Sequence, residues 1–410
     1  MAGETYTPEE MLARLVAFDT TSHLSNLELI DFVAGYLAGH GVESTLVHSD
    51  DRTKANLIAT VGPAKPGGVV LSGHTDVVPV TGQAWDSDPF TVVRRDARLY
   101  GRGTADMKGF IACALAGVPG FLARPLAVPI HLAFSYDEEV GCLGARPLLE
   151  CLVAEKPAPL LAIIGEPSGM KVANAHRGVT KFATTVTGRP GHSSDPAKGV
   201  NAIEYAALCI AFLGRLAADM RALPAFVPSG TSAGLPAGAS AQAGDFDPAY
   251  STINVGTIDG GQAVNIIAGA CRFTWDCRVM PGTDATEARR RLDAYAAEEL
   301  LPRMRAAGAG ADVGADVGIV TEATGSVPPL VPEPGSPAEA LLLALTGQNA
   351  CTTTPFGSEA GLFQQSGIPA VICGPGSVAQ AHQPNEFVTV AQLDECAELL
   401  GKVADWAERG

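Results

Sequence analysis

Three short apolar runs in this sequence stop abruptly on residues of types that can bind metals. Gly68 to Ser72 runs into Gly73-His74-Thr75-Asp76-Val77-Val78-Pro79, and Pro129 to Ser135 into Tyr136-Asp137-Glu138-Glu139-Val140-Gly141. Leu160 to Ile164 runs into Gly165-Glu166-Pro167. Segments of this length and apolarity predict buried strands, and open α/β sheets bind their ligands at the carboxyl ends of strands. Gly101-Arg102-Gly103-Thr104-Ala105-Asp106-Met107-Lys108-Gly109 adds Asp106 ahead of a predicted helix, and Ala381-His382-Gln383-Pro384-Asn385-Glu386 adds a second histidine. Imidazole with carboxylate suits zinc, and also cobalt or manganese. His74, Asp106, Glu139, Glu166 and His382 are five ligands, enough for two ions if one carboxylate bridges them. Two ions about 3.5–4 Å apart can share a hydroxide and polarise a carbonyl. Taken singly, each residue has a blander reading, since a lone histidine or a Glu-Glu pair is commonly ordinary polar surface. Their occurrence together at successive strand ends is what points to metal chemistry.

The elements that must hold these residues alternate. Apolar positions at helical spacing predict helices over 9–18, opened by a Thr7-Pro8 cap, and over 27–37, 107–122 and 141–153. A further strand is expected over 56–61. Beyond Gly178 the texture changes to strand 179–187, helix 200–223, strands 252–258 and 271–279, helix 285–305 and strand 318–323. Strand, helix, two strands, helix, strand is the ferredoxin-like pattern, so an inserted domain is expected over 178–323. The metal-binding domain would then be 1–177 completed by 324–410, with apolar runs at 338–345 and 368–373 and a closing helix over 390–408. Pro228 to Gly244, rich in Pro, Ser, Gly, Thr and Ala, reads as a mobile loop, and 306–318 as a Gly/Ala-rich connection.

Bulk properties exclude several classes. A chain of 410 residues predicts two domains, and 47% hydrophobic with 18% charged residues describes an ordinary globular protein. A net charge of −16 argues against nucleic-acid or anionic-membrane partners, which require a basic face. Nine cysteines without a C-x-x-C pair predict free thiols in a reducing compartment. The first ten residues lack the basic and apolar regions of a secretory signal, and no run reaches membrane-spanning length, so a cytoplasmic location is expected.

GHTDVVP, GRGTADMKG, DEEVG, GEP and AHQPNE, in that order, resemble the co-catalytic zinc hydrolases that include acetylornithine deacetylase, succinyl-diaminopimelate desuccinylase, aminoacylase and related carboxypeptidases. The resemblance covers nearly the whole chain. It implies an α/β fold: a dinuclear metallohydrolase domain with a mixed sheet and an inserted ferredoxin-like lid or dimerisation domain, the protein acting as a homodimer. It implies two divalent ions, zinc first, with Asp106 as the bridge, His74 and Glu166 on one ion, and Glu139 and His382 on the other. Asp76 would orient the His74 imidazole, and Glu138 would be the general base that deprotonates the attacking water and reprotonates the departing amine. From the insert, His192 would enter the partner subunit's site as a donor to the oxyanion, while Arg278 would clamp a substrate carboxylate and Asn265 orient the substrate. For each of these three a plain structural role is the competing reading: a turn histidine, a strand arginine paired to an acid, a satisfied polar residue.

Phe246 to Ile267 and Phe356 to Val388 look most like acetylornithine deacetylase, which places Gly357, Ser358 and Glu359 near the substrate, although a simple loop role fits them equally. Ala105 stands where those deacetylases often carry Cys, and the 228–244 loop is long for the family. Three readings follow: deacetylation of N-acetylornithine, the same chemistry on another small N-acyl or N-carbamoyl amino acid, and an inactive metal-binding protein. Pocket contacts worth roughly 1–3 kcal/mol each separate the first two, and metal motifs do not report them.

Overall fold

Thr7 starts the first helix, Pro8–Val16, as its sequence predicts. In the computed structural model, which describes residues 3–155, 158–222, 246–307 and 317–410, the Thr7 side chain accepts the Glu10 amide and Glu10 returns a bond to the Thr7 amide. The helix ends where buried Lys108 donates to the carbonyls of Leu15 (3.1 Å) and Phe18 (2.9 Å). Lys108 itself opens the helix Lys108–Leu122, which is apolar nearly all round because it is covered by the sheet on one side and by the helices Pro8–Val16 and Val390–Arg409 on the other.

The chain forms two compact units, one over 3–176 and 330–410, the other over 177–222 and 246–329. The first is built on a mixed sheet of eight strands in the order Ser44–His48, Ala55–Val61, Ile130–Ser135, Val69–His74, Leu161–Ile164, Ala370–Ile372, Ala173–His176, Thr352–Thr354. Its four middle strands run parallel to one another and are buried along their whole length. They read as continuous apolar runs because both faces are covered. Parallel strands end together, so the segments after His74, Ser135 and Ile164 leave the sheet at one edge.

The second unit follows the strand–helix–strand–strand–helix–strand succession. Its four antiparallel strands lie in the order Thr252–Gly260, Ala270–Val279, Gly178–Thr187, Gly318–Val327. Alternate residues Cys271, Phe273, Trp275 and Cys277 point into a core closed by the helix Ala202–Ala222 and by Glu287–Tyr295. Trp275 stacks on Phe182 with ring centroids 4.3 Å apart and donates its indole N–H to Thr184. The α/β class with a separate ferredoxin-like sheet is therefore the fold expected.

Details differ from the sequence reading. The helix expected over 285–305 widens at Ala296–Leu300 into a π-helical turn before Leu301–Ala307. The apolar run 338–345 lies in a helix, Pro337–Thr346. Ser44–His48, Ala173–His176 and Thr352–Thr354 are strands that the pattern did not reveal. The 228–244 tract and most of 306–318 lie outside the described residues.

Leu71 is fully buried on a central strand, whereas Val320, on an edge strand of the second unit, is 57% exposed. Leu71→Ala should lower stability by about 2–5 kcal/mol, and Val320→Ala by no more than about 0.5 kcal/mol, read from denaturant midpoints.

Candidate metal centre

His74, the last residue of its strand, is fully buried, and its Nδ1 donates to the carbonyl of Asp76 at 2.9 Å. That bond turns Nε2 towards Asp106, whose Oδ1 lies 3.0 Å away, with Glu166 Oε1 at 4.0 Å. His382 comes from the C-terminal segment with a left-handed backbone (φ 64°), and its Nε2 lies 3.3 Å from Asp106 Oδ2 and 3.1 Å from Glu139 Oε1. Asp106 thus offers one carboxylate oxygen to each imidazole. Ligand atoms of His74, Asp106 and Glu139 lie within 4.8 Å of one another, as do those of His74, Glu138 and Glu166.

The strand ends explain this convergence. Glu166 follows Gly165, where a Cβ would sit 1.9 Å from the Phe110 ring, so only glycine lets the chain pass that close to the central helix. Glu138 and Glu139 follow Asp137, which is also left-handed (φ 55°) and is salt-bridged to Lys54 at 2.5 Å. Asp76 does more here than the expected orientation of His74. Its own carbonyl meets the imidazole, while its carboxylate, 3.6 Å from Nδ1, accepts the amides of Glu138 (3.0 Å) and Glu139 (3.3 Å) and the Ser22 hydroxyl (2.7 Å).

Electrostatics follow from crowding. Glu138 keeps part of its surface open, yet the protein packed around its carboxyl, aided by Glu139, Asp76 and Asp106, pushes its pKa up to about 8. Burial and neighbouring carboxylates raise Glu139, and raise Glu166 well above the usual range. Burial works against ionised Asp106 too, but hydrogen bonds from both imidazoles hold its carboxyl well below its ordinary value. Hydrogen bonds to Asp106 and Glu139 lift His382 to about 10. Among the described residues, Glu166 Oε1 is a buried oxygen without a hydrogen-bond partner. An unpaired buried oxygen facing an imidazole nitrogen and other carboxylates fits a position where a divalent cation would be held.

The remaining candidates fall elsewhere. Glu359 is buried and accepts the hydroxyls of Ser72 (2.6 Å) and Ser135 (2.8 Å), so it ties two ligand-bearing strands rather than facing a solvent-side substrate. Ser358 is buried, its hydroxyl accepting the Ala360 amide, and Gly357 is half-buried beside it. In the second unit, the short strand Gly191–His192 pairs with Ile266–Ile267, and the Ser193 amide donates to the Asn265 carbonyl at 3.1 Å, so His192 and Asn265 are neighbours. Ser194 donates its amide to His192 Nδ1 (3.2 Å), with its hydroxyl also at 2.7 Å, which puts the ring proton on Nε2. Arg278 lies opposite Val179 and Thr252, half-exposed, its Nε 3.5 Å from Asp276. The sequence reading missed Cys142, whose thiol donates to Glu138 Oε1 at 3.4 Å, and the buried pair Arg102–Glu386, of which only the nearness of Glu386 to His382 gave a hint.

Comparison with known proteins gives consistent matches. The model of peptidase family M20/M25/M40 matches residues 70–406. Acetylornithine deacetylase from Pasteurella multocida is 33% identical over 401 residues, 96% of each chain, and that from Myxococcus xanthus 34% identical over 396 residues, 95% of each. Among solved structures, an M20 family metallo-carboxypeptidase from Sulfolobus solfataricus superimposes with a TM-score of 0.74 at 16% identity, covering 99% of this chain and 100% of that one.

The raised carboxyls set a pH dependence. Groups whose folded pKa exceeds the unfolded value stabilise below the unfolded pKa and lose that contribution as pH rises through the folded one. For Glu138 this window runs from 4.5 to about 8, and Glu139 and Glu166 shift in the same direction. Chelator-treated protein should therefore melt at a lower temperature at pH 7.5 than at pH 5.5. Added Zn2+ should reverse the trend, because the ion needs deprotonated ligands.

Proposed function

The chain belongs to peptidase family M20/M25/M40, and from that premise we propose that this metal-dependent hydrolase removes the acetyl group from N-acetyl-L-ornithine. The observation that carries the chemistry is Asp106, with one oxygen facing His74 and the other facing His382. Identity of about a third to acetylornithine deacetylases along almost the whole chain supports the substrate.

His74, Asp106 and Glu166 would hold one ion, and Glu139, Asp106 and His382 the other, with zinc suited to this nitrogen and oxygen set. Bound there, the ions would supply Lewis acidity and lower the pKa of water. Glu138 takes the proton from the attacking water at its carboxylate and returns it to the leaving amine. Asp76 holds the main chain of Glu138 and Glu139 while this happens, and the Cys142 thiol orients Glu138 Oε1. His192, with its proton on Nε2, is proposed as the donor to the acyl oxygen, Arg278 as the group that holds the α-carboxylate and Asn265 as the one that orients the substrate. We assign a dimer to the protein, in keeping with the open edge of strand Thr252–Gly260, where Ile258 is 54% exposed. The same chemistry on another N-acyl amino acid is the second reading, favoured by the distance that a third identity leaves in the pocket.

Glu138→Gln should keep its bound metal and lose roughly 10²–10⁴-fold in kcat, measured on a panel of N-acyl amino acids. A wild-type preference for N-acetylornithine supports the substrate. Turnover of other members alone moves it, and absence of turnover with metal bound overturns the reading of the substrate as a small N-acyl amino acid.

A further inference from the structure

His382 poses a mechanical problem. Its side chain is 51% exposed, and its backbone lies in the left-handed region that disfavours a residue with a Cβ. Packing alone does little to hold such an imidazole at a fixed point. The answer lies in the surrounding hydrogen bonds. Glu386, four residues on, is buried, and its Oε1 accepts the amides of Ala105 (2.9 Å) and Asp106 (3.1 Å). Its Oε2 accepts Arg102 Nη1–H at 2.6 Å. Arg102 Nη2 donates to Gln83 Oε1 at 2.6 Å, and Gln83 Nε2 donates to the His382 carbonyl at 2.9 Å. The circuit is closed, running from the Asp106 amide through Glu386, Arg102 and Gln83 to His382 and back along 382–386. Trp85 steadies it, its indole N–H on Gln83 Oε1 (3.1 Å) and its ring 5.1 Å from the guanidinium. Main-chain bonds reinforce it too, the Gly101 amide donating to the Glu386 carbonyl and Phe387 pairing with Tyr100.

We propose that Gln83, Arg102 and Glu386 are positioning residues that fix Asp106 and His382 relative to each other, and so set the affinity for the ion those two share with Glu139. A buried ion pair such as Arg102–Glu386 is poor as a device for stability alone, because desolvation offsets its attraction. As a clamp between two loops it has a geometric purpose. The inference rests on the reading of Asp106 and His382 as metal ligands. Within the ring the two ends are separable. Of the two ligands, Gln83 bonds directly to His382 alone, whereas Glu386 holds the amide of the bridging Asp106.

The test is calorimetric titration of metal-free protein with Co2+, together with the visible absorption of the bound cobalt, for wild type, Gln83→Ala, Glu386→Gln and His382→Ala. Gln83 is only half-buried, so Gln83→Ala tests the ring even if Glu386→Gln does not fold. Gln83→Ala should raise the Kd of one ion by about 10–100-fold, leave the other ion at its wild-type value and alter the cobalt band of the weakened site. Glu386→Gln should weaken both ions. Wild-type Kd values and an unchanged spectrum in Gln83→Ala, with only a lower Tm, would overturn the proposal and leave a merely structural ring. Fewer than two Co2+ bound by wild type, or two bound at wild-type affinity by His382→Ala, would instead overturn the metal reading beneath it.

Discussion

Several carboxylates and two imidazoles meet at one edge of a buried sheet, and like charges so close together resist ionising without a cation among them. The shifts of the side chains express this constraint. Glu138 is pushed to about 8 and Glu166 well above its ordinary range, while Asp106 stays ionised by sitting between two histidines. A site of this kind is costly to assemble from protein alone, and divalent metal turns the repulsion into ligation. The parallel run of the four central strands is what makes the meeting possible, because it sends three different loops off the sheet at the same edge.

Holding the side chains there falls to bonds that involve the main chain as much as the ligands themselves. Asp76 reaches the amides of Glu138 and Glu139, and its carbonyl selects the tautomer of His74. Glu359 joins Ser72 and Ser135 behind the ligand-bearing ends. Glu386 holds Asp106 by its amide. Carboxylates thus serve in two ways around the centre, some turned to the point where a metal would be held and others binding amides and hydroxyls so that the first group stays in place.

Much of this was legible in the sequence, for a physical reason. A strand buried on both faces is a short apolar run, so the residue where the run stops marks the sheet edge, and His74, Glu138, Glu139 and Glu166 all follow such stops. The inserted unit showed itself through the succession of strand, helix, two strands, helix and strand beyond Gly178. The supporting residues were harder to see. Glu359 lies 287 residues from Ser72, and only the folded sheet shows that they meet. Strands such as Ala173–His176 and Thr352–Thr354 are short and partly polar, and pairing with neighbours rather than their own pattern makes them strands. The resemblance implied Asp76 as the partner of the imidazole, and only the folded chain shows that its carboxylate also binds across to the Glu138 turn.

Asp106 is the residue that would lie between two ions. Anomalous diffraction from crystals of the zinc-loaded protein, collected on both sides of the zinc edge, examines this directly. Two peaks should appear, one against each carboxylate oxygen of Asp106, the first also touching His74 and Glu166 and the second Glu139 and His382. A single peak, or a pair of which Asp106 touches only one, would contradict it.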